Sequence, residues 1–400
     1  MIHLKKIYWF LKALIANILY GFPSREITLI GVTGTDGKTS TTSMIYHILA
    51  SLNEKASYIT TVHAHVAGTS YPLGFHVTTP SPFFIQKMIR QAVKKGDRFF
   101  VLETTSHALD QLRVWGCRYK IAALTNITNE HLDWHKNYTN YARAKMKLVN
   151  QAEIGVVNVE PSTYYKYKDY IHNKNMWSTG VEKTADIMYQ ELVDNGLKDR
   201  FVVFEQENAT VAYGVCKLLG FDSKKIAHAL NSFERVKGRF DLFEKGGVRF
   251  MVDFAHTPAA FKQLFSAIKK SVKPLRIIHV FGCAGLRDKS KRLPMGQLSA
   301  QNADLSIVTE EDYRTEKIET IFSQIEKGFR KVKDSVKDKT YYFVEDRQEA
   351  VNKAVGFARN GDVVVLTGKA HEQSLARGKK EFPWDEYKAV DIALSLKLKA

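Results

Sequence analysis

Between an apolar β-type run at 27–32 and a helical pattern at 39–52 lies the segment GVTGTDGKTSTT (31–42), and few folds accommodate it. Gly34 and Gly37 let the backbone curl so that its N–H groups turn inward onto phosphate oxygens. Lys38 is then placed to reach the terminal phosphates, Thr39 can offer its hydroxyl to Mg²⁺, and the following helix N-terminus adds positive potential. Thr35, Asp36 and Ser40 complete the candidate nucleotide contacts. The spacing departs from the common GxxxxGK[ST], because Val32 stands where the first glycine would be. In isolation a glycine turn before a helix carries no function. The strand–loop–helix context with GKT favours phosphate binding.

The rest of the chain repeats the same alternation. Runs at 99–103, 121–127 and 154–159 read as further buried strands, and Met44, Ile45, Ile48, Leu49 and Leu52 form one stripe of the 39–52 helix. A second series at 248–254, 276–281, 305–309, 341–344 and 362–367 is separated by helical patterns at 259–270, 318–332 and 347–358. Such alternation predicts an α/β protein with parallel sheets. The expected division is a leader at 1–26, a central P-loop ATPase-type domain with a mostly parallel sheet at 27–238, and a C-terminal Rossmann-like α/β domain at 239–400. The polar stretch 161–198 reads as short strands and loops. The basic run KVKDSVKDK (331–339) reads as a solvated helix end.

Three cysteines, dispersed and odd in number, supply neither a disulfide framework nor a four-cysteine zinc site, so a reducing, cytoplasmic setting is expected. Lys and Arg outnumber Asp and Glu by 59 to 42, a net charge of +17 that favours anionic partners. No nucleic-acid recognition motif accompanies that charge, and no such partner is expected. The apolar run at 7–20 is broken by Lys12 and preceded by Lys5 and Lys6, which argues against a spanning helix. As a helix it places Ile7, Phe10, Leu11, Leu14, Ile15 and Ile18 on one face. That face would dock on the first domain, the favoured reading, or lie on a membrane surface.

Seven ordered motifs carry a resemblance. GTDGKT, LETTSHALDQLRV (102–114), TNITNEHLDWH (125–135), YARAKMKL (141–148), VDFAHTP (252–258), FGCAGLRDKSKR (281–292) and GKAHE (368–372) are similar to those of the Mur ligases, MurE type. The resemblance implies an ATP- and Mg²⁺-dependent ligase of peptidoglycan precursor synthesis. It would add an amino acid to a muramyl peptide through an acyl phosphate. By the same resemblance Glu103 and His131 join Thr39 as metal ligands, and Lys145 of Y-x-x-A-K is carbamylated into a further one. Asn208, Arg239 and Asp253 would contact ATP. Thr78, Thr79, Thr105, Gln111 and Arg113 would hold the acceptor. Arg287, Asp312, Arg314, Gly368 and Glu372 would hold the incoming amino acid.

Departures from the pattern bear on substrate identity. Leu286 replaces an Asp, Ala370 a Gly, and Glu311-Asp312-Tyr313-Arg314 stands for Asp-Asn-Pro-Arg. The retained Arg314 favours meso-diaminopimelate over lysine. A folylpolyglutamate-synthase-like ligase, and a Mur-like ligase of lipid-linked acceptors, are the alternatives. The family's uridine-diphosphate-binding domain precedes the P-loop, which begins here at Gly31. The expectation is therefore a monomer that binds the acceptor through its phosphate, sugar and peptide, with a separate UDP-binding chain or peripheral membrane contact as the other options.

Overall fold

The first sheet is built from short runs that bury both faces. Its strands are β1 Thr28–Thr33, β2 Ala56–Ile59, β3 His63–Val66, β4 Thr69–Pro72, β5 Phe99–Glu103, β6 Ile121–Leu124, β7 Ile154–Asn158, β8 Met176–Gly180 and β9 Ile187–Met188. They lie in the order β4-β3-β2-β5-β1-β6-β7-β8-β9. β2, β3 and β4 pair antiparallel, and every other pairing is parallel. All residues of β5 and β6 are buried, which is why both read as apolar runs, with Glu103 at the end of β5 the exception. The computed structural model describes residues 2–72, 78–128, 130–161 and 163–398. His76 and Val77 of the HVTTP segment and Asn129 of TNITNEHLDWH lie outside the described residues.

β1 sits between β5 and β6, with Val32 opposite Glu103 and Thr33 opposite Leu124. The chain leaves β1 for β2 on one side of the sheet and leaves β5 for β6 on the other. That reversal opens a crevice beyond the carboxyl ends of the strands, where the loops after β1, β5 and β6 converge. Helices α1 Ile2–Tyr20, α2 Lys38–Ser51, α3 Pro82–Lys94, α4 Ser106–Asp110, α5 Leu132–His135 and α6 Tyr138–Gln151 serve this part of the sheet. In α2 the expected stripe of Met44, Ile45, Ile48 and Leu49 is buried. Residues 161–198 form helices Tyr164–Tyr167 and Tyr189–Asp194 around β8 and β9.

The structure corrects the expectation for the leading helix. α1 does dock, but through Ala13, Ala16 and Asn17, while Ile7, Leu11, Ile15 and Ile18 of the anticipated face stand exposed. Close approach decides which side goes in. The Asn17 amide donates to Trp115 O at 2.8 Å, and a Cβ on Gly116 would run into the Asn17 side chain. Small residues permit that contact, and isoleucines would not.

The chain divides after Glu234 into two compact units. In the second, β10 Asp241–Lys245, β11 Val248–Asp253, β12 Ile277–Phe281, β13 Leu305–Val308, β14 Tyr341–Phe343 and β15 Val363–Thr367 form a sheet ordered β10-β11-β15-β12-β13-β14. It is parallel except for the edge strand β10. Phe250, Ile278, Val280, Ile307, Val364 and Leu366 supply its buried core. A hairpin of β16 Ser374–Arg377 and β17 Lys380–Pro383 follows. A fully buried Arg347–Glu386 pair ties helix Arg347–Phe357 to helix Glu386–Lys397.

Candidate active site

The glycine loop is held from three sides within the first unit. Gly37 (φ +82°) caps α2 in a left-handed conformation, and a Cβ there would collide with the Asn208 amide oxygen. Asn208, from helix Val203–Leu218, also accepts from the Thr41 hydroxyl at 3.3 Å. From the loop after β6, Asn126 accepts from Thr35 N and, through its side chain, from Asp36 N, both at 2.9 Å. Thr125 donates to Asp36 O at 2.6 Å. The Thr35 hydroxyl lies 2.9 Å from the Tyr141 hydroxyl of α6. Lys38 donates to Thr35 O at 2.7 Å, so its ammonium lies over the loop it would share with phosphates. The sequence had singled out neither Thr125 nor Asn126, although both sit in the quoted TNITNEHLDWH segment.

Glu103 ends β5, is 1 % exposed, and faces this loop. Its carboxylate accepts from the Thr39 hydroxyl at 3.0 Å and from Thr61 N and Oγ1, both at 2.8 Å. The Thr78 hydroxyl lies 3.2 Å from that of Thr61. Thr61 follows β2 and no sequence signal marked it. Lys145 is 2 % exposed in α6 and donates to Gly34 O, with its nitrogen 4.7 Å above the Tyr141 ring. Burial, reinforced by the charge of Lys38, pushes its ammonium well below the usual lysine range, although Glu130, Asp36 and Glu103 pull the other way. His131, at φ +55°, lies 3.4 Å from the Glu130 carboxylate and 4.7 Å, ring to ring, from His107. His135 Nε2 is 3.1 Å from Ser106 Oγ.

The acceptor candidates are continuous with this cluster. Thr79 donates to Glu103 O at 3.2 Å and accepts from Thr105 N at 2.9 Å, with the Thr105 hydroxyl 3.2 Å away. Thr105 in turn caps α4 through Ala108 N at 3.2 Å. Arg113 donates to Thr79 O at 2.9 Å and to the Gln111 side chain at 2.7 Å. Its guanidinium also lies 4.8 Å over the ring of Trp9 in α1, a support the sequence did not suggest. Thr78, Thr79, Thr105, Gln111 and Arg113 are thus joined by hydrogen bonds to one another or to the residues around Glu103.

In the second unit Asp253 ends β11 and accepts from Phe240 N and Ala255 N, both at 2.7 Å, while burial raises its carboxyl. Arg239 stacks 4.6 Å over Phe254 and lies 3.4 Å from His371 Nδ1. Burial and the Arg239 charge push His371 down to about 3. Asp312 accepts from Lys369 Nζ and Ala376 N, both at 2.9 Å. Lys369 also pairs with Glu372 and is itself fully buried. Arg314 donates to Gly285 O at 3.0 Å and Asp312 O at 3.2 Å. Gly368 lies against Glu311, whose buried Oε2 has no hydrogen-bond partner among the described residues. Asp312, Arg314, Gly368 and Glu372 are therefore gathered, whereas Arg287, two residues beyond Gly285, is exposed. Lys369 was missed, although GKAHE contains it.

A mostly parallel sheet with a glycine loop at its winding reversal, facing a buried carboxylate, defines a P-loop nucleotide-binding domain. Residues 32–220 match the Mur ligase middle domain, and residues 238–370 match the Mur ligase, glutamate ligase domain. A curated relative from Clostridium botulinum, UDP-N-acetylmuramoyl-L-alanyl-D-glutamate--2,6-diaminopimelate ligase, is 32% identical over 95% of this chain and 80% of its own length. A solved structure of that same kind of ligase is 26% identical at a TM-score of 0.58, over 93% of this chain and 79% of the other. Mycobacterium tuberculosis folylpolyglutamate synthase shares the fold at a TM-score of 0.68 and 14% identity, over 90% of this chain and 92% of the other. The chain belongs to the Mur ligase family of ATP-dependent amino-acid ligases.

Proposed function

We propose that this ligase adds meso-diaminopimelate to a muramyl-dipeptide-type acceptor. The acceptor carboxylate would attack the γ-phosphorus of ATP, forming an acyl phosphate as the bond to the β-bridging oxygen breaks. The amine then attacks the acyl carbon, inorganic phosphate leaves, and the amine's proton passes to solvent. The observation that carries the ligase chemistry is Lys145, a buried amine that donates to Gly34 O of the P-loop. A neutral amine can take up CO₂, and the resulting carbamate changes a cation into an anion.

The donor set suits a hard divalent cation. The Thr39 hydroxyl, the Glu103 carboxylate and a Lys145 carbamate would offer oxygen and His131 its imidazole nitrogen, and in this reading these residues would hold Mg²⁺. Bound there, Mg²⁺ supplies charge neutralisation for phosphoryl transfer. Lys38 and the α2 N-terminus orient the phosphates; Thr79, Gln111 and Arg113 hold the acceptor. Asn208, Arg239 and Asp253 are the remaining nucleotide contacts in this reading.

Selection of the amino acid rests on the second unit. Asp312 would repel a distal carboxylate were it not paired with Lys369 at 2.9 Å. With that charge partly offset, Arg314 would supply the attraction, and bidentate arginine suits a carboxylate. The names of the curated relatives point the same way. Cys117, Cys216 and Cys283 are free thiols, which fits a reducing cytoplasm. Phosphate release in competition between meso-diaminopimelate and lysine tests the reading. Preference for lysine, or an unchanged diaminopimelate rate in Arg314→Ala, overturns it.

A further inference from the structure

α1 presents an apolar face that no described residue of the first unit covers. Ile7, Tyr8, Leu11, Ile15, Ile18 and Leu19 are each close to or above half exposed, with Ile18 at 63% and Leu19 at 65%. At 3.6 residues per turn they fall within an arc of about 120°, opposite Ala13 and Ala16, which face the protein. The helix contains no Asp or Glu. Lys5 and Lys12 border the arc, and Lys12 lies 4.4 Å over the Tyr8 ring, where its stem can follow the apolar surface while its ammonium stays in water. No helix among the described residues is long and apolar enough to cross a membrane. An apolar face with a basic border and no acidic residue is what lies in the plane of an anionic lipid surface.

We propose that α1 docks this protein on an anionic bilayer. Charge favours that occupant over a second copy, because a chain of net charge +17 repels its own kind and is drawn to anionic headgroups. The face is made of long apolar side chains, suited to acyl chains. The inner side of the same helix supports Arg113 through Trp9, and Lys6 pairs with Asp110 at 2.7 Å, so docking would hold the acceptor cluster beside the lipid. The inference rests on α1 alone and is independent of which amino acid the enzyme adds.

The test is sedimentation of the full chain with vesicles of phosphatidylcholine mixed with phosphatidylglycerol, and with phosphatidylcholine alone. The unaltered chain is expected to sediment with the anionic vesicles, less so as salt rises. A Leu11→Glu, Ile15→Glu double variant should lose at least about tenfold in partitioning, since both side chains leave the lipid. Its thermal unfolding and ATP turnover should match the unaltered chain, because both positions face away from the protein. A chain that stays in the supernatant with anionic vesicles overturns the proposal, as does a double variant that binds as well as the original. Light scattering covers the rival occupant: a dimer that the double variant dissolves, without vesicle binding, assigns the face to a second copy.

Discussion

A lysine withdrawn from water costs a fold stability, and burial is the main cause that pushes the Lys145 ammonium well below the usual lysine range. Its replacement by methionine removes that cost. Lys145→Met is therefore expected to raise the thermal unfolding temperature while lowering ligase turnover more than about a hundredfold, the exchange of stability for activity seen when a strained functional group is removed. Unfolding scans and phosphate release check the two halves. In Lys145→Ala, a small added carboxylate should restore part of the activity by filling the vacated anion position. Lys369 is the opposite case, a buried cation paired with Asp312 and Glu372. Lys369→Met would take from the buried Asp312 the nearer of two cationic partners, leaving Arg314 at 3.6 Å, and should cost about 3 kcal/mol in denaturant unfolding. Both lysines were in quoted motifs, yet only Lys145 was singled out, through resemblance. Burial and pairing, which distinguish them physically, are tertiary properties that a one-dimensional pattern does not carry.

Among elements, legibility followed burial on two faces. β5 and β6 are wholly buried, so apart from the terminal Glu103 of β5 their residues are apolar and their position could be read directly. The β3–β4 hairpin escaped notice because its four-residue strands carry His63, His65 and Ser70, and its turn at Ala67 and Gly68 relies on positive φ at both positions. In α1 the apolar spacing was legible but not which side faces the protein. That choice is made by Gly116, nearly a hundred residues away. The P-loop was legible as a loop, whereas its fastening to α6 was not. Removing that fastening in Tyr141→Phe deletes the bond to the Thr35 hydroxyl. A net loss of about 1 kcal/mol should appear as a roughly fivefold higher KM for ATP, with kcat changed less, in steady-state kinetics.

Across the whole molecule the two units respond to acid with opposite sign at two titratable groups. In the second, His279 of β12 is fully buried, with Ser299 Oγ 2.8 Å from Nδ1 and Thr367 Oγ1 3.0 Å from Nε2. Burial, and then the charge of Arg347, lower it from 6.5 to about 3. The unfolded chain takes up a proton below pH 6.5 that the folded chain refuses, so the stabilisation is complete above pH 6.5 and is lost as pH falls toward 3. Each pH unit in that window removes up to about 1.4 kcal/mol. In the first unit, burial raises Glu207 from 4.5 to about 7. Its folded form keeps a proton that the unfolded chain releases above pH 4.5, so through this group stability falls as pH rises to about 7. Acidification from pH 7.5 to 5.5 should therefore weaken protection of β12 and β15 more than that of β1 and β5. Hydrogen-exchange protection factors at the two pH values measure this. His279→Gln, which keeps a hydrogen-bonding side chain that does not titrate, should flatten the pH dependence of the second unit and leave the first unchanged. Equal loss of protection in both units, or an unaltered pH slope in His279→Gln, would show that other groups govern the acid response.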